Sequence, residues 1–253
     1  MIEITIGVYW LKRAITLRAF ADELKTHILQ LTKPPFDFLN ISMVGNTPNS
    51  DIKLDNNLSN LDDLVYRFAW DTENYYENAN PDGTPSWLSS SDLGFMLYFT
   101  CTTPRSDTNI EFSVSAGINE DEISNSAVVT IQCPTQTQEN PLIHYDYLKA
   151  LLRQLIVFWK PDFGKIMSMP FSDAFSPDGY TDVGWVTYIK NSNASAMRNN
   201  PDLIAAGIEM EAVSIGGSLF TIDREMVSPD NETQVARAKL LRAKLMEYRL
   251  IES

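Results

Sequence analysis

Two histidines, His27 and His144, are all the imidazole this 253-residue chain has for activating a nucleophile or holding zinc. His27 falls within the first long helix and His144 follows Asn140-Pro141, and neither has a partner at ligand spacing. Both read as structural or solvated. Carboxylates are the other route to chemistry, because acids alone can bind Mg²⁺ or Ca²⁺. Asp62-Asp63 and Glu120-Asp121-Glu122 are adjacent in sequence, however, and neighbours on a helix or strand point apart. Ser176-Pro177-Asp178-Gly179 followed by Asp182 copies part of a calcium loop without its alternating Asp/Asn and terminal Glu. A Pro-Asp-Gly turn accounts for it more simply. Asp223-Arg224-Glu225, at the end of a strand, is placed where an acid–base catalyst could sit and reads as a turn with local ion pairs. No Gly-rich phosphate loop, H-E-x-x-H, G-x-S-x-G or paired C-x-x-C occurs. The sequence therefore predicts no catalytic residues, no metal and no cofactor.

What remains is surface. The net charge is −13, and its distribution says more than its size. Between Leu54 and Leu148 there are 15 acids and only Arg67 and Arg105 as bases, while the remainder carries 18 of each sign. One continuous segment thus holds the whole imbalance. Such a surface repels nucleic acid and membranes and steers basic proteins toward itself. Within the segment, Tyr75, Tyr76 and Trp87 fall in polar, Pro- and Gly-containing sequence and read as exposed. Tyr and Trp flanked by acids suit an interface with aromatic anchors and a charged rim. The candidate partner-binding residues are Asp62, Asp63, Asp71, Glu73, Tyr75, Tyr76, Glu77, Asp82, Trp87, Glu120, Asp121 and Glu122.

The elements that must position these residues are legible from periodicity. Ile2 to Val8 is a β-rich apolar run and predicts a strand. Leu17, Phe20, Ala21, Leu24, Ile28 and Leu31 draw one helical stripe, stopped by Pro34-Pro35. A second strand is expected over Phe38 to Val44 and a short helix over Leu58 to Trp70. After a loop from Asn74 to Asp92, three strands with period-2 alternation follow: Phe95 to Cys101, Ile110 to Ala116 and Val128 to Cys133. Their short connections predict an antiparallel meander with one solvated face. Asn140-Pro141 is expected to open a helix carrying Leu148, Leu151, Leu152, Leu155 and Trp159, ended by Pro161. Then come a strand over Val183 to Lys190, a helix over Pro201 to Ile208, a strand over Ser218 to Ile222 and a final helix over Asp230 to Leu250. That last helix turns Val235, Ala238, Leu241 and Leu245 inward, with Arg237, Lys239, Arg242 and Lys244 on the opposite face. The stripe reads as a solvated face or as an internal partner for acids on this chain. The fold class is α+β: a mixed or antiparallel sheet with a central three-strand meander and long amphipathic helices packed on it.

Cys101 and Cys133 each end an apolar alternation and read as small core residues. The start, MIEITIGVYWLKR, lacks a basic n-region and carries Glu3 inside its apolar run, so it reads as a strand and not a signal peptide. No apolar run approaches the roughly 18 residues that span a bilayer. A cytoplasmic location is expected.

Four segments together resemble the immunity protein 52 family of bacterial polymorphic toxin systems. They are Gly7-Val8-Tyr9-Trp10 with Arg13, the long helix to Leu31, Gly184-Trp185, and a closing block of Gly217, Pro229-Asp230-Asn231, Val235-Ala236-Arg237 and Leu241-Arg242. The middle, about 45 to 140, resembles it only loosely. Ala14 stands where the family favours an acid, and Gln234 where it favours a His. The resemblance implies a single immunity-protein domain over 1–253, with a subdivision admissible near 161–180. It implies an antidote that binds a co-encoded toxin, typically a restriction-endonuclease-fold nuclease with a basic surface, delivered by type VI secretion. A carboxylate-based metal-dependent hydrolase, or a regulatory or scaffold protein with a non-toxin partner, are the competing expectations.

Overall fold

The computed structural model describes residues 2–45, 50–71, 74–120, 124–133, 140–175 and 182–251. The chain forms two compact units, Tyr9–Val129 and Met1–Val8 with Thr130–Ser253.

In Tyr9–Val129 the first helix, α1 (Leu17–Leu31), follows the sequence stripe: Leu17, Phe20, Ala21, Leu24, Ile28 and Leu31 are all fully buried. Thr16 caps it, its hydroxyl accepting from the Ala19 N–H at 3.2 Å. Burying each of these Leu, Ile or Phe side chains is worth about 1.5–3 kcal/mol, so the stripe and not helix propensity holds α1 in place. Strands β2 (Leu39–Met43) and β3 (Ile52–Lys53) precede the short helix α2 (Leu61–Phe68). Then come β4 (Leu93–Thr103), β5 (Ser106–Ile118) and β6 (Asn125–Cys133), the expected meander. The strand order is β3-β2-β4-β5-β6, with β2–β3, β2–β4 and β4–β5 antiparallel.

The β4–β5 register sorts the two faces. Phe95 lies opposite Ala116, Leu97 opposite Val114, Phe99 opposite Phe112 and Cys101 opposite Ile110, and all eight are buried. Phe99 and Phe112 stack with ring centroids 4.7 Å apart. The other face carries Met96 opposite Ser115, Tyr98 opposite Ser113 and Thr100 opposite Glu111. Buried Asn125 ties the meander to the chain before α1. Its Nδ2 donates to the Leu11 and Ile118 carbonyls while its Oδ1 accepts from the Ile118 N–H. A buried amide satisfied on both ends fixes the strand's start where hydrophobic pattern alone would not.

The second unit has the strand order β1-β7-β8-β10-β9, where β1 is Ile2–Trp10, β7 Phe163–Met167, β8 Val186–Ile189, β9 Glu209–Ala212 and β10 Ser218–Thr221. The pairs β7–β8, β8–β10 and β9–β10 are antiparallel. Its long helices are α3 (Tyr145–Trp159) and α7 (Glu232–Glu247); α4 (Met169–Phe175), α5 (Ser192–Met197) and α6 (Pro201–Ala205) are short. Asn140 does cap, accepting from the Leu142 N–H at 3.0 Å, but it caps only a 3₁₀ turn over Pro141–Ile143. Extended backbone at His144 (φ −70°, ψ 138°) interrupts the path, so α3 begins at Tyr145. Leu148, Leu151, Leu152, Leu155 and Trp159 are buried as expected, and Lys160, in the left-handed region before Pro161, ends the helix. Both cysteines are buried and neither forms a disulfide. Trp185 is buried with its Nε1 donating to the Asp223 carbonyl at 2.8 Å.

Candidate partner-binding surface

Helix α2 presents Leu61, Leu64 and Val65 to the interior. Asp62 and Asp63 therefore lie in its first turn on the outward side, where they also favour the positive end of the helix dipole. The Asp62 carboxylate accepts from Arg18 on α1 at 2.8 Å. The same guanidinium sits 3.8 Å over the Trp87 ring, whose centroid is 5.2 Å from that of Tyr66. Asp62 and Trp87 thus meet through a base contributed by α1. Asp63 pairs with Arg67 one turn on, at 3.2 Å, with both groups solvent-exposed. Such an exposed pair contributes about 0–1 kcal/mol and leaves its carboxylate open to a competing partner.

After α2 the chain runs beside β4, where the Ala69 carbonyl accepts from the Met96 N–H at 3.0 Å. Trp70 is held by its Nε1 donating to the Tyr66 carbonyl at 2.7 Å. Tyr76, expected to be exposed, is only 4% exposed. Its hydroxyl accepts from the Asp71 N–H and donates to the Asp71 carbonyl, which closes the loop back on itself. Its ring stacks 6.1 Å from Phe95 and meets Trp70 edge-on, and burial pushes its phenol pKa up. Tyr76 is therefore the floor of this loop, a correction to the sequence expectation. Its neighbour Tyr75 is 82% exposed.

The remaining expected residues are spread around the loop. Glu77 is exposed, its backbone N–H donating to the Ser90 carbonyl and its carboxylate accepting from the Ser90 hydroxyl at 3.3 Å. Tyr75 and Glu77 share a cleft of about 70 Å³ with Asp92 and Asn119. Asp82 is exposed in a separate turn, where the Thr84 hydroxyl and N–H hold its carboxyl below the usual range. Glu120 is exposed two residues beyond the end of β5. Glu73, Asp121 and Glu122 lie outside the described residues, as do 176–179 of the calcium-loop reading. Among the described residues, no three of His, Cys, Asp and Glu come together to hold a metal ion, and no helix is long and apolar enough to cross a membrane.

Sequence reading missed a groove of about 810 Å³ on the outward face of β4. Its apolar walls are Val44, Phe68, Trp70, Leu93, Met96 and Tyr98, with Arg67 and Asp71 at the rim. The signal was available: on a strand whose inward set is Phe95, Leu97, Phe99 and Cys101, the outward set should be polar. Met96 and Tyr98 are not, whereas β5 opposite them carries Ser115 and Ser113.

The basic face of α7 behaves differently. Arg237 donates to the Ala206 and Ile222 carbonyls and to Asp223. Arg242 pairs with Asp182 and Lys244 with Asp202 and Glu247, which raises the Lys244 pKa. The stripe serves mainly as an internal partner for acids. Asp223 and Arg224 likewise pair across the sequence, with Arg237 and Glu209, and not within a local turn as expected.

These features can be set beside known proteins. The family model described as immunity protein 52 matches residues 88–253, which takes in Gly184-Trp185 and the closing block but not Gly7 to Arg13. Among solved structures the chain is similar to the Pseudomonas aeruginosa T6SS protein PA0821. The identity is 12% and the TM-score 0.50, over 98% of this chain and 76% of that one, a likeness of fold. No curated protein sequence matches. With more than half of its length matched by the family model, the chain belongs to the immunity protein 52 family.

Proposed function

We propose that this protein binds and neutralises a cognate toxin in the cytoplasm of the cell that makes both, and that the toxin is a nuclease presenting a basic surface. Family membership carries the reading. The similarity of fold to a Pseudomonas aeruginosa T6SS protein favours delivery of that toxin by type VI secretion. Charge supports the choice of a nuclease. A nuclease grips phosphates with Lys and Arg, so an inhibitor carrying 17 acids against 8 bases in Tyr9–Val129 complements it, while nucleic acid itself is repelled. On this reading the contact surface comprises Asp62, Asp63, Asp71, Tyr75, Glu77, Asp82, Trp87 and Glu120, with Tyr76 supporting it from below; Glu73, Asp121 and Glu122 are proposed as contacts from the sequence alone.

The test is co-expression with the toxin encoded beside the gene. We expect the two proteins to co-purify in equal amounts and growth to be restored. Reversing Asp71, Glu77, Asp82 and Glu120 to Lys together should abolish rescue at low expression. A wild-type chain that neither binds nor rescues overturns the function, and rescue untouched by the reversals overturns the surface.

A further inference from the structure

Of the twelve large apolar side chains exposed among the described residues, nine lie in Tyr9–Val129, and four of these, Val44, Leu93, Met96 and Tyr98, are 40–51% exposed around the groove on the outward face of β4. Scattered exposed apolar residues need no explanation, but a cluster around a concave depression marks a binding site. We propose that this groove takes an apolar or aromatic anchor of the toxin, flanked by Lys or Arg, and that it is the energetic centre of the complex whose rim is the acidic surface. The inference rests on the proposed function and adds the site where most of the binding energy is gained.

Three observations choose this occupant. First, the groove is built before any partner arrives. Trp70 is fixed by its bond to the Tyr66 carbonyl, and the loop behind it is closed by Tyr76 on Asp71. At Gly94 (φ +68°) a Cβ would lie 2.6 Å from the Ile118 nitrogen, so only glycine lets β4 run this close to β5 at the groove. Preformed walls spare an incoming side chain the cost of ordering them. Second, the composition is that of an interface centre: Tyr, Trp and Met are the residues enriched there. Third, the surrounding charge excludes other guests. Asp71 and the Asp63–Arg67 pair sit at or beside the rim, in a unit carrying nine more acids than bases. That field disfavours anionic lipid and nucleic acid and favours a cationic protein segment.

The experiment measures binding of the neighbouring gene's toxin domain, catalytically inactivated, to full-length variants by biolayer interferometry. Met96→Arg places a charge in the groove and Tyr98→Ala removes an anchor wall; both positions are solvent-exposed, so folding should survive. Ile204→Arg, on the exposed side of α6, is the control. We expect Met96→Arg and Tyr98→Ala to weaken binding at least thirtyfold, mainly through faster dissociation, with the control within threefold of wild type. Groove variants that bind as tightly as wild type overturn the inference while leaving the proposed function intact. Absence of wild-type binding overturns both. If Met96→Arg instead converts a self-associated wild type to monomer without affecting toxin binding, the occupant is a second copy and the inference falls. Should Met96→Arg misfold, Tyr98→Ala alone decides.

Discussion

His27 is 1% exposed on the buried stripe of α1, with its ring edge-on to Phe112 at 6.5 Å. Burial pushes its pKa down to about 3. In the unfolded chain the ring titrates near 6.5. Between those values the unfolded chain takes up a proton that the folded chain excludes, so stability is greatest above about pH 6.5 and falls with pH below it. Going from pH 7 to 5 this one group should cost about 2 kcal/mol. Denaturant titrations of wild type and His27→Leu at both pH values check this. The variant should lose about 2 kcal/mol less than wild type on acidification, and equal losses would show that the buried ring accepts its proton. Side-chain placement of this kind was only partly legible. His27 lies in the first long helix beside the stripe residue Ile28, and from sequence it reads as structural or solvated. Tyr76 lies in a loop with no period, and its inward turn depends on a hydroxyl bond to the backbone of Asp71 that no spacing reveals.

At the level of elements, legibility followed length and amphipathic contrast. α1, α3, β4 and β5 are long and sharply patterned, and the sequence placed them within a few residues. β7, β9, α4 and α5 are four to seven residues each and went unread, because such short runs carry too few turns or alternations to stand out. α7 was placed correctly, and of the four side chains expected inward Ala238, Leu241 and Leu245 are buried. Gln234 is buried, accepting from the Ser228 N–H at 2.9 Å, so the position where the family favours His serves here to anchor the helix start. Arg237 lies on the stripe read as a solvated face or an internal partner for acids, and it takes the second role, tying α7 to Asp223 and to two backbone carbonyls. Charge-assisted bonds of this type contribute about 1.5–3 kcal/mol, and removing the donor leaves acceptors unsatisfied. Arg237→Ala should therefore lower unfolding free energy by about 2–3 kcal/mol. Arg237→Lys should recover less than half, since one ammonium cannot reproduce the fork. Lys239→Ala, on the exposed part of the same helix, should change it by less than about 0.5 kcal/mol. Thermal unfolding of the three variants decides; equal midpoints for Arg237→Ala and Lys239→Ala would reduce Arg237 to a surface charge.

For the whole molecule, charge and apolar surface divide the work of recognition between rate and lifetime. The acidic segment of residues 54 to 148 crosses the boundary between the two units, and part of its charge is answered internally, as where Arg18 meets Asp62. Even so, Tyr9–Val129 keeps 17 acids against 8 bases, and the same unit holds the groove. Exposed charges act over roughly a Debye length, about 10 Å at 0.1 M salt and 3 Å at 1 M, so they speed encounter and are screened by ions. Apolar anchors act only on contact and are indifferent to moderate salt. Raising NaCl from about 50 to 500 mM should therefore slow association with the toxin at least tenfold, while dissociation changes less than threefold. The Lys reversals at Asp71, Glu77, Asp82 and Glu120 should already associate slowly at low salt and show a flatter salt dependence, because the field that salt would screen is removed by mutation. Met96→Arg should show the opposite pattern, dissociating faster while keeping much of the wild-type salt slope of association. If the reversals act on dissociation alone, or if association ignores salt, the acidic surface does not steer the partner and its charge serves solubility instead.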